Sequence, residues 1–316
     1  MRAETRAKTA GRAKRRDPYA VSAGTGAAIH IFFGLFAAAC VLPVSLVVIV
    51  SFTDNSSFIL YGYSFFPSKM SVFAYRFLLG DFGVMARAYG VSALICVLGA
   101  GMQVISQSLF AYPLSRRDFP FSKFFSTFIL ITMLFSGGIA PFYYIYVRIL
   151  HVKNSVWAMI FPLLGGGYNI FMYRMFFRLN VPSELIEASK IDGASEARIY
   201  AQIILPLSLP VLATFSLFGV IAYWNDFFNC LLFVDNQKIF NIQFVMQRAL
   251  RSLTYIQSNI KYMGGASSEM QKVAAQLPAE TLRMAMAVFG MGPIVIAYPF
   301  FQRYFVKGLV VGAIKG

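Results

Sequence analysis

Six apolar stretches of about 20 residues or more run through this chain, at about 29–52, 88–112, 124–147, 156–177, 207–233 and 282–305. That is the length an α-helix needs to cross roughly 30 Å of hydrocarbon. With 58% hydrophobic residues, 13% charged residues and 33 Phe, the chain has too little polar surface to cover a water-facing globule. The expected fold is all-α, a polytopic membrane protein of six transmembrane helices. Gly137, Gly138, Gly165, Gly166 and Gly167 blur the third and fourth stretches, and a bundle tolerates such interruptions where neighbouring helices satisfy the freed backbone groups.

Orientation follows from the basic residues, since short flanking segments rich in Lys and Arg stay in the cytoplasm. Arg2, Arg6, Lys8, Arg12, Lys14, Arg15 and Arg16 precede the first stretch, Arg116, Arg117 and Lys123 follow the second, and Arg303, Lys307 and Lys315 lie at the end. Both termini are expected inside, which also places the 181–206 loop inside, with Arg174 and Arg178 before it and Lys190 and Arg198 within it. The 234–281 loop is then outside; its Lys238, Arg248, Arg251, Lys261 and Lys272 run against the rule, but long loops translocate largely regardless of charge. The basic tail 1–28 reads as a membrane-proximal segment drawn to anionic lipid headgroups. The net charge of +15 is spread over span flanks and forms no aromatic-interleaved face, so nucleic acid is not an expected partner. AAAC at 37–40 faintly suggests a lipoprotein cleavage site, but the apolar run continues through Val50 and is read as a span.

Cys40, Cys96 and Cys230 are isolated and read as small packing residues, and His30 and His151 have no ligand neighbours at metal spacing, so no metal site is expected. No G-x-x-x-x-G-K-[ST] or G-x-S-x-G occurs. The chain is not expected to be an enzyme or to hold a cofactor, and any ATP that drives it would bind another chain.

The 181–206 loop is polar between two apolar stretches. Pro182 suits the first position of a helix, Glu184 and Glu187 lie near its positive end, and Gly193 stops it. A second helix from about Ser195 to Leu205 sets Ile199 and Ile203 on one face and Tyr200 and Ile204 on its neighbour, and Pro206 ends it. Ala188 and Ser189 are small enough for another protein to approach closely. A plain amphipathic connector explains the helix signals equally well.

The spacing is more specific. Glu187 and Ala188 are followed by Ser189, then three residues, Gly193, nine residues, Ile203, one residue, Leu205 and Pro206. This resembles the cytoplasmic signature loop of binding-protein-dependent ABC importer permeases, and departs from it only where Ser189 replaces an Ala. The resemblance covers most of the chain from about residue 29, and FVKGLVVGAIKG at 305–316 is similar to the ending of carbohydrate-importer permeases related to the second membrane subunit of the maltose importer. The Gly-rich 264–267 region and QLPAETLRMAM at 276–286 resemble the branch serving oligosaccharides such as aldouronates or alginate-type sugars. The resemblance implies a permease domain over 29–316 in a bacterial-type cytoplasmic membrane. It implies as partners a second, different permease, two ATPase subunits that bind ATP and Mg, an extracytoplasmic solute-binding protein and a sugar. It assigns ATPase coupling to Glu187, Ala188, Ser189, Asp192, Gly193, Ile203, Leu205 and Pro206.

Tyr223, Trp224, Asn225, Asp226 and Asn229 cluster in the fifth stretch. They could line a translocation path, where rings and amides suit sugars, or simply bond neighbouring helices. Gln103, Ser106, Gln107, Tyr168, Asn169 and Tyr173 are weaker candidates of the same kind. An ion-coupled secondary transporter is the alternative, and would need intramembrane carboxylates in corresponding halves; Asp226 is the strong candidate. A membrane enzyme or a channel finds no support in a convergent acid-base set or a repeated filter.

Overall fold

The computed structural model describes residues 23–262 and 279–313, helical apart from turns, loops and one isolated antiparallel bridge between Thr53 and Met70. In chain order the helices are α1 (Ala23–Ser51), α2 (Asn55–Tyr61), α3 (Phe73–Leu78), α4 (Phe82–Ser115), α5 (Ser122–Leu134), α6 (Ile139–Tyr144), α7 (Trp157–Leu164), α8 (Gly167–Asn180), α9 (Ser183–Ile191), α10 (Glu196–Ile199), α11 (Leu205–Leu207), α12 (Leu209–Asn225), α13 (Phe228–Phe233), α14 (Ile242–Tyr262) and α15 (Ala279–Ala313). π-helical turns extend α6 over Ile145–Ile149 and join α10 to α11 over Tyr200–Ile204. Most of the basic tail and the Gly-rich 264–267 region lie outside the described residues.

Among the described residues, Gly24–Ser51, Phe82–Ser115 and Ala279–Gln302 are each long and apolar enough to cross a membrane. Two bent pairs reach that length only together, Ser122–Leu134 with Ile139–Ile149 at 115° and Glu196–Leu207 with Leu209–Asn225 at 82°. The fourth apolar stretch is divided at 165–166 into α7 and α8, of 8 and 14 residues. Apolar length alone therefore overstated the continuity of the middle of the chain, where glycines and prolines interrupt the helices.

α4 is the centre. Its buried positions Met85, Ala88, Ser92, Cys96, Gly99, Gln103, Gln107 and Ala111 recur every three or four residues and form one stripe, and most are small. Small seams let helices approach where no hydrophobic effect separates lipid from protein. α12 lies against this stripe: a Cβ on Gly99 would sit 2.6 Å from Cζ of Tyr223, and one on Gly219 2.5 Å from Oε1 of Gln103. Cys96 and Cys230 are buried as packing residues, whereas Cys40 is exposed on α1.

Two apolar clusters flank the polar level of Gln103 and Gln107. One holds Ile95, Met159, Tyr223, Phe233, Ile242 and Leu282; the other holds Tyr112, Tyr173, Phe177, Ile199, Ile204 and Phe215. The 234–281 segment differs from the solvent-facing loop expected. Much of it is α14, whose Ile242, Met246 and Leu253 are buried in the first cluster, one helical stripe among polar residues. Pro293 in α15 cannot donate to the carbonyl four residues back, and Tyr89 OH takes that Phe289 carbonyl at 2.6 Å.

Gly99→Ala is expected to lower unfolding stability in detergent by about 1–3 kcal/mol, the cost of overpacking a rigid ring contact. Gly101→Ala, with open space at its Cβ position, is the control, and equal melting temperatures for the two variants would contradict this packing.

Candidate functional site

The 181–206 loop folds as two short helices joined by a tight turn. α9 starts one residue later than expected: Pro182 has ψ 131 and stands before the helix, because Ser183 is the first residue with helical geometry. The turn is closed by two backbone bonds, Gly193 N–H to Lys190 carbonyl at 3.1 Å and Ala194 N–H to Ser189 carbonyl at 2.9 Å. This double bond pattern requires a left-handed residue, and Gly193 supplies it with φ +78. Ser195 caps α10 by accepting the Arg198 N–H at 3.4 Å.

The second helix departs from the expected register. In the π-helical turn, Leu205 N–H reaches back five residues to Tyr200 carbonyl, so an extra residue enters the turn. Ile199 and Ile204 are consequently the buried pair, at 0% and 1% exposure, and Ile203 is only partly buried. Pro206 does not end the helix, which continues to Leu207. The 82° bend falls at Ser208, whose N–H bonds both Ile204 and Leu205 carbonyls.

One face of the loop is locked to the bundle. Ile186, Ile199 and Ile204 enter the apolar cluster with Tyr112, Tyr173 and Phe177, and Tyr200 OH bonds Ser108 Oγ at 2.7 Å. An ionic knot closes over them. Arg116 forks onto Asp118 with Nε at 3.0 Å and Nη2 at 2.9 Å. Lys190 Nζ bridges Asp118 Oδ2 at 3.1 Å and Glu196 Oε1 at 2.8 Å, and Tyr112 OH donates to Glu196 Oε2 at 2.5 Å. The knot therefore ties α9, α10 and the end of α4 together. Arg116 first and Lys190 second hold the Asp118 carboxyl well below its usual range. Lys190 first and Tyr112 second lower that of Glu196, and the two carboxylates raise Lys190.

The opposite face of α9 is open. Glu187, Ala188, Asp192 and Gly193 are exposed, Ser189 is partly buried with its hydroxyl bonded to the Leu185 carbonyl, and Ile191 is 86% exposed. Sequence reasoning missed Asp118, Glu196 and Tyr112, and took Arg116 and Lys190 only as topological charges. Asp118 is 72 residues from Lys190, and no local pattern pairs them.

In the fifth stretch, α12 ends at Asn225 and α13 resumes at Phe228. Tyr223 OH donates to Ile160 carbonyl at 3.0 Å and Trp224 Nε1 to Gly290 carbonyl at 2.7 Å, both buried. Asp226 accepts the Asn229 N–H at 3.1 Å and its Nδ2 at 3.0 Å, and its carbonyl accepts from the Asn241 amide. The bonds of Tyr223, Trp224 and the Asp226 carbonyl run to other elements of the bundle. Asn225 is exposed and Asp226 partly so.

The chain is thus a helical bundle with several helices apolar enough to cross a membrane and a two-helix loop packed on it by one face, the other face being exposed on this chain. The chain belongs to the family described as "Binding-protein-dependent transport system inner membrane component", whose model matches residues 31–311. It is 33% identical over 288 residues to the polygalacturonan/rhamnogalacturonan transport system permease protein YtcP of Bacillus subtilis, covering 91% of this chain and 97% of the relative. It is 27% identical to the trehalose/maltose transport system permease protein MalG of Thermococcus litoralis, over 89% of this chain and 94% of that one. The crystal structure of a bacterial ABC transporter involved in the import of the acidic polysaccharide alginate contains a chain with the same fold, at TM-score 0.70 and 22% identity, covering 92% of this chain and 100% of the other.

Lys190→Met removes both bridges of the knot. Exposed ion pairs are worth less than about 1 kcal/mol each, so loss of the two Lys190 bridges should raise amide exchange in 183–199 by up to about thirtyfold with no change at 92–108. The depressed carboxylates stabilise above their unfolded pKa and lose that contribution as pH falls, while the raised Lys190 keeps it until alkaline pH. The difference between wild type and Asp118→Asn in thermal unfolding is therefore expected to hold from about pH 5 to 9, to start shrinking as pH falls below about 4, the unfolded pKa, and to disappear only when pH has fallen through the depressed folded value.

Proposed function

We propose that this chain is one of two unlike permease subunits of an ATP-driven importer, and that its solute is an acidic oligosaccharide. The observation that carries the coupling role is the two-faced loop. Ile191, 86% exposed, stands with the small Ala188 and the carboxylate of Glu187 on the face that the bundle leaves uncovered, a surface suited to a protein partner, and the buried Ile186, Ile199 and Ile204 anchor the loop against yielding when pushed. Its register supports the assignment of Glu187, Ala188, Ser189, Asp192, Gly193, Ile203, Leu205 and Pro206 to this element, with the partner's contact on α9 and the turn, and Ile203 and Leu205 acting from beneath. Acidic solute is supported by relatives named for polygalacturonan, rhamnogalacturonan and alginate transport.

In this reading the membrane is a bacterial cytoplasmic membrane crossed six times, with α5 joined to α6, α7 to α8 and α12 to α13 as broken spans. Both termini and the loop face the cytoplasm. Two ATPase subunits bind ATP and Mg, and an extracytoplasmic binding protein delivers solute. Closure of the ATPases displaces α9. The ionic knot passes that displacement to α4 and the 82° bend at Ser208 turns it into α12, so the bundle changes its open side. Nucleotide and solute drive the cycle only through different affinities for the two states.

Mass spectrometry of the gently extracted, tagged chain is expected to find a second permease, an ATPase and a sugar-binding protein; a homo-oligomer without ATPase would overturn the proposal. Ile191→Glu is expected to release the ATPase without changing the melting temperature of the permease. Gly193→Pro cannot adopt φ +78 and is expected to assemble with the ATPase yet lose solute-stimulated hydrolysis. Normal stimulation in that variant would count against a rigid lever.

A further inference from the structure

Beside the ionic knot lies a cavity of about 300 Å³ between the end of α4, the end of α8 and α9. That is the room of about ten water molecules. Its floor is apolar, made by Phe177, Ile186 and Ile204. Its walls are charged, with Arg116, Arg117, Arg178 and Lys190 lining it together with Asp118 and Glu187.

These charges divide into two groups. Arg116 and Lys190 are paired with Asp118 and Glu196, two cations against two carboxylates, so the knot is neutral. Arg117 and Arg178 are exposed and make no ion pair among the described residues, and neither does Glu187. Two cations against one carboxylate leave one positive charge, carried on guanidinium forks that lack an acceptor. Such forks suit bidentate contact with a phosphate, and the low-dielectric floor of a cleft strengthens the field of the charges around it.

The level of the cavity decides which anion fits. Arg116 and Arg117 directly follow Ser115, the last residue of the 34-residue α4, and Arg178 stands in the last turn of α8. Met175, Arg178 and Leu179 share one face of α8 through their spacing of three and four residues, and Met175 and Leu179 are 57% and 71% exposed. The same order holds on α4, where Leu109 and Phe110 are exposed before the two arginines. An exposed apolar face that ends in an arginine matches a lipid, acyl chain first and phosphate above it, and arginines at the ends of spans reach for that layer. A free anion would use the charges but has no use for the apolar approach to them.

We propose that this cavity binds the phosphodiester headgroup of an anionic membrane lipid such as phosphatidylglycerol, with Arg117 and Arg178 holding the phosphate and the acyl chains lying along Met175 and Leu179. The headgroup monoanion balances the unpaired positive charge. Glu187 and Lys190 of α9 line the same cavity, so the headgroup lies against the 181–206 loop and ties the position of α9 to the lipid around it. The site requires only that α4 and α8 lie in a membrane; it rests neither on the importer reading nor on the side that the loop faces.

The test uses the full-length chain with its co-purifying subunits in nanodiscs that carry the same lipid on both faces. The probe is phosphatidylglycerol with a photoreactive group in its acyl chain, in a phosphatidylcholine background, and the readout is labelling of residues 172–180 by peptide mapping. Arg117→Gln and Arg178→Gln are each expected to lower that labelling about fivefold, the effect of one basic residue beside an anionic surface, and Glu187→Gln to raise it. Should Arg178→Gln unfold the chain, Arg117→Gln carries the test alone. Arg198→Gln makes the same charge change on α10, away from the cavity; an equal fall in that variant would mean a diffuse surface field and overturn the site. Equal labelling by phosphatidylcholine bearing the same group would mean ordinary boundary lipid and overturn it as well. Loss of labelling when inorganic phosphate replaces chloride at constant ionic strength would assign the cavity to a free anion, and labelling that appears only after the other subunits are removed would assign it to a protein partner; either result refutes the lipid site.

Discussion

Peptide groups released from a helix inside a bilayer must find partners within the protein or in trapped water, and the arrangement of this bundle follows from how each interruption meets that demand. Pro293 frees a carbonyl that Tyr89 takes. Before α8 the Gln107 amide takes the Leu164 carbonyl, and after α12 the Asn241 amide takes the Asp226 carbonyl. Each of these bonds crosses between elements, so closing a break also sets the register of two helices. α4 supplies Tyr89 and Gln107, which is why a single long helix can organise the rest.

The 181–206 loop shows a division between adhesion and register. Burying Ile186, Ile199 and Ile204 contributes about 1.5–3 kcal/mol each by area, whereas each exposed ion pair in the knot contributes less than about 1 kcal/mol. Apolar contact therefore holds the loop on the bundle. The ions decide its angle, since Lys190 bridges Asp118 and Glu196 only when α9 and α10 lie side by side at the end of α4. The proposed coupling role requires both, because a loop that adheres without a fixed angle would absorb the motion. The π-helical turn at Tyr200–Ile204 serves the same end by bringing Ile204 beneath Ile199 while the chain heads into the bend at Ser208.

Apolar run lengths determined that this is a helical membrane protein, because about 20 such residues in succession have no stable place in water. The spacing from Glu187 to Pro206 determined the loop, because a left-handed turn residue between two short helices is a local requirement that Gly193 meets on its own. Tertiary structure decided what local pattern cannot carry. Ile204 displaced Ile203 as the buried partner of Ile199 through a one-residue slip in the backbone ladder. Asp118 met Lys190 across 72 residues, and Tyr223 and Trp224 turned their polar atoms to carbonyls on other helices. Where a side chain reaches a helix break is likewise invisible in the residue types, since glycines mark both 137–138 and 165–166, yet the Gln107 amide meets only the second. The difference lies in whether a neighbouring helix brings an amide within hydrogen-bonding reach, and that distance exists only once the chain is folded.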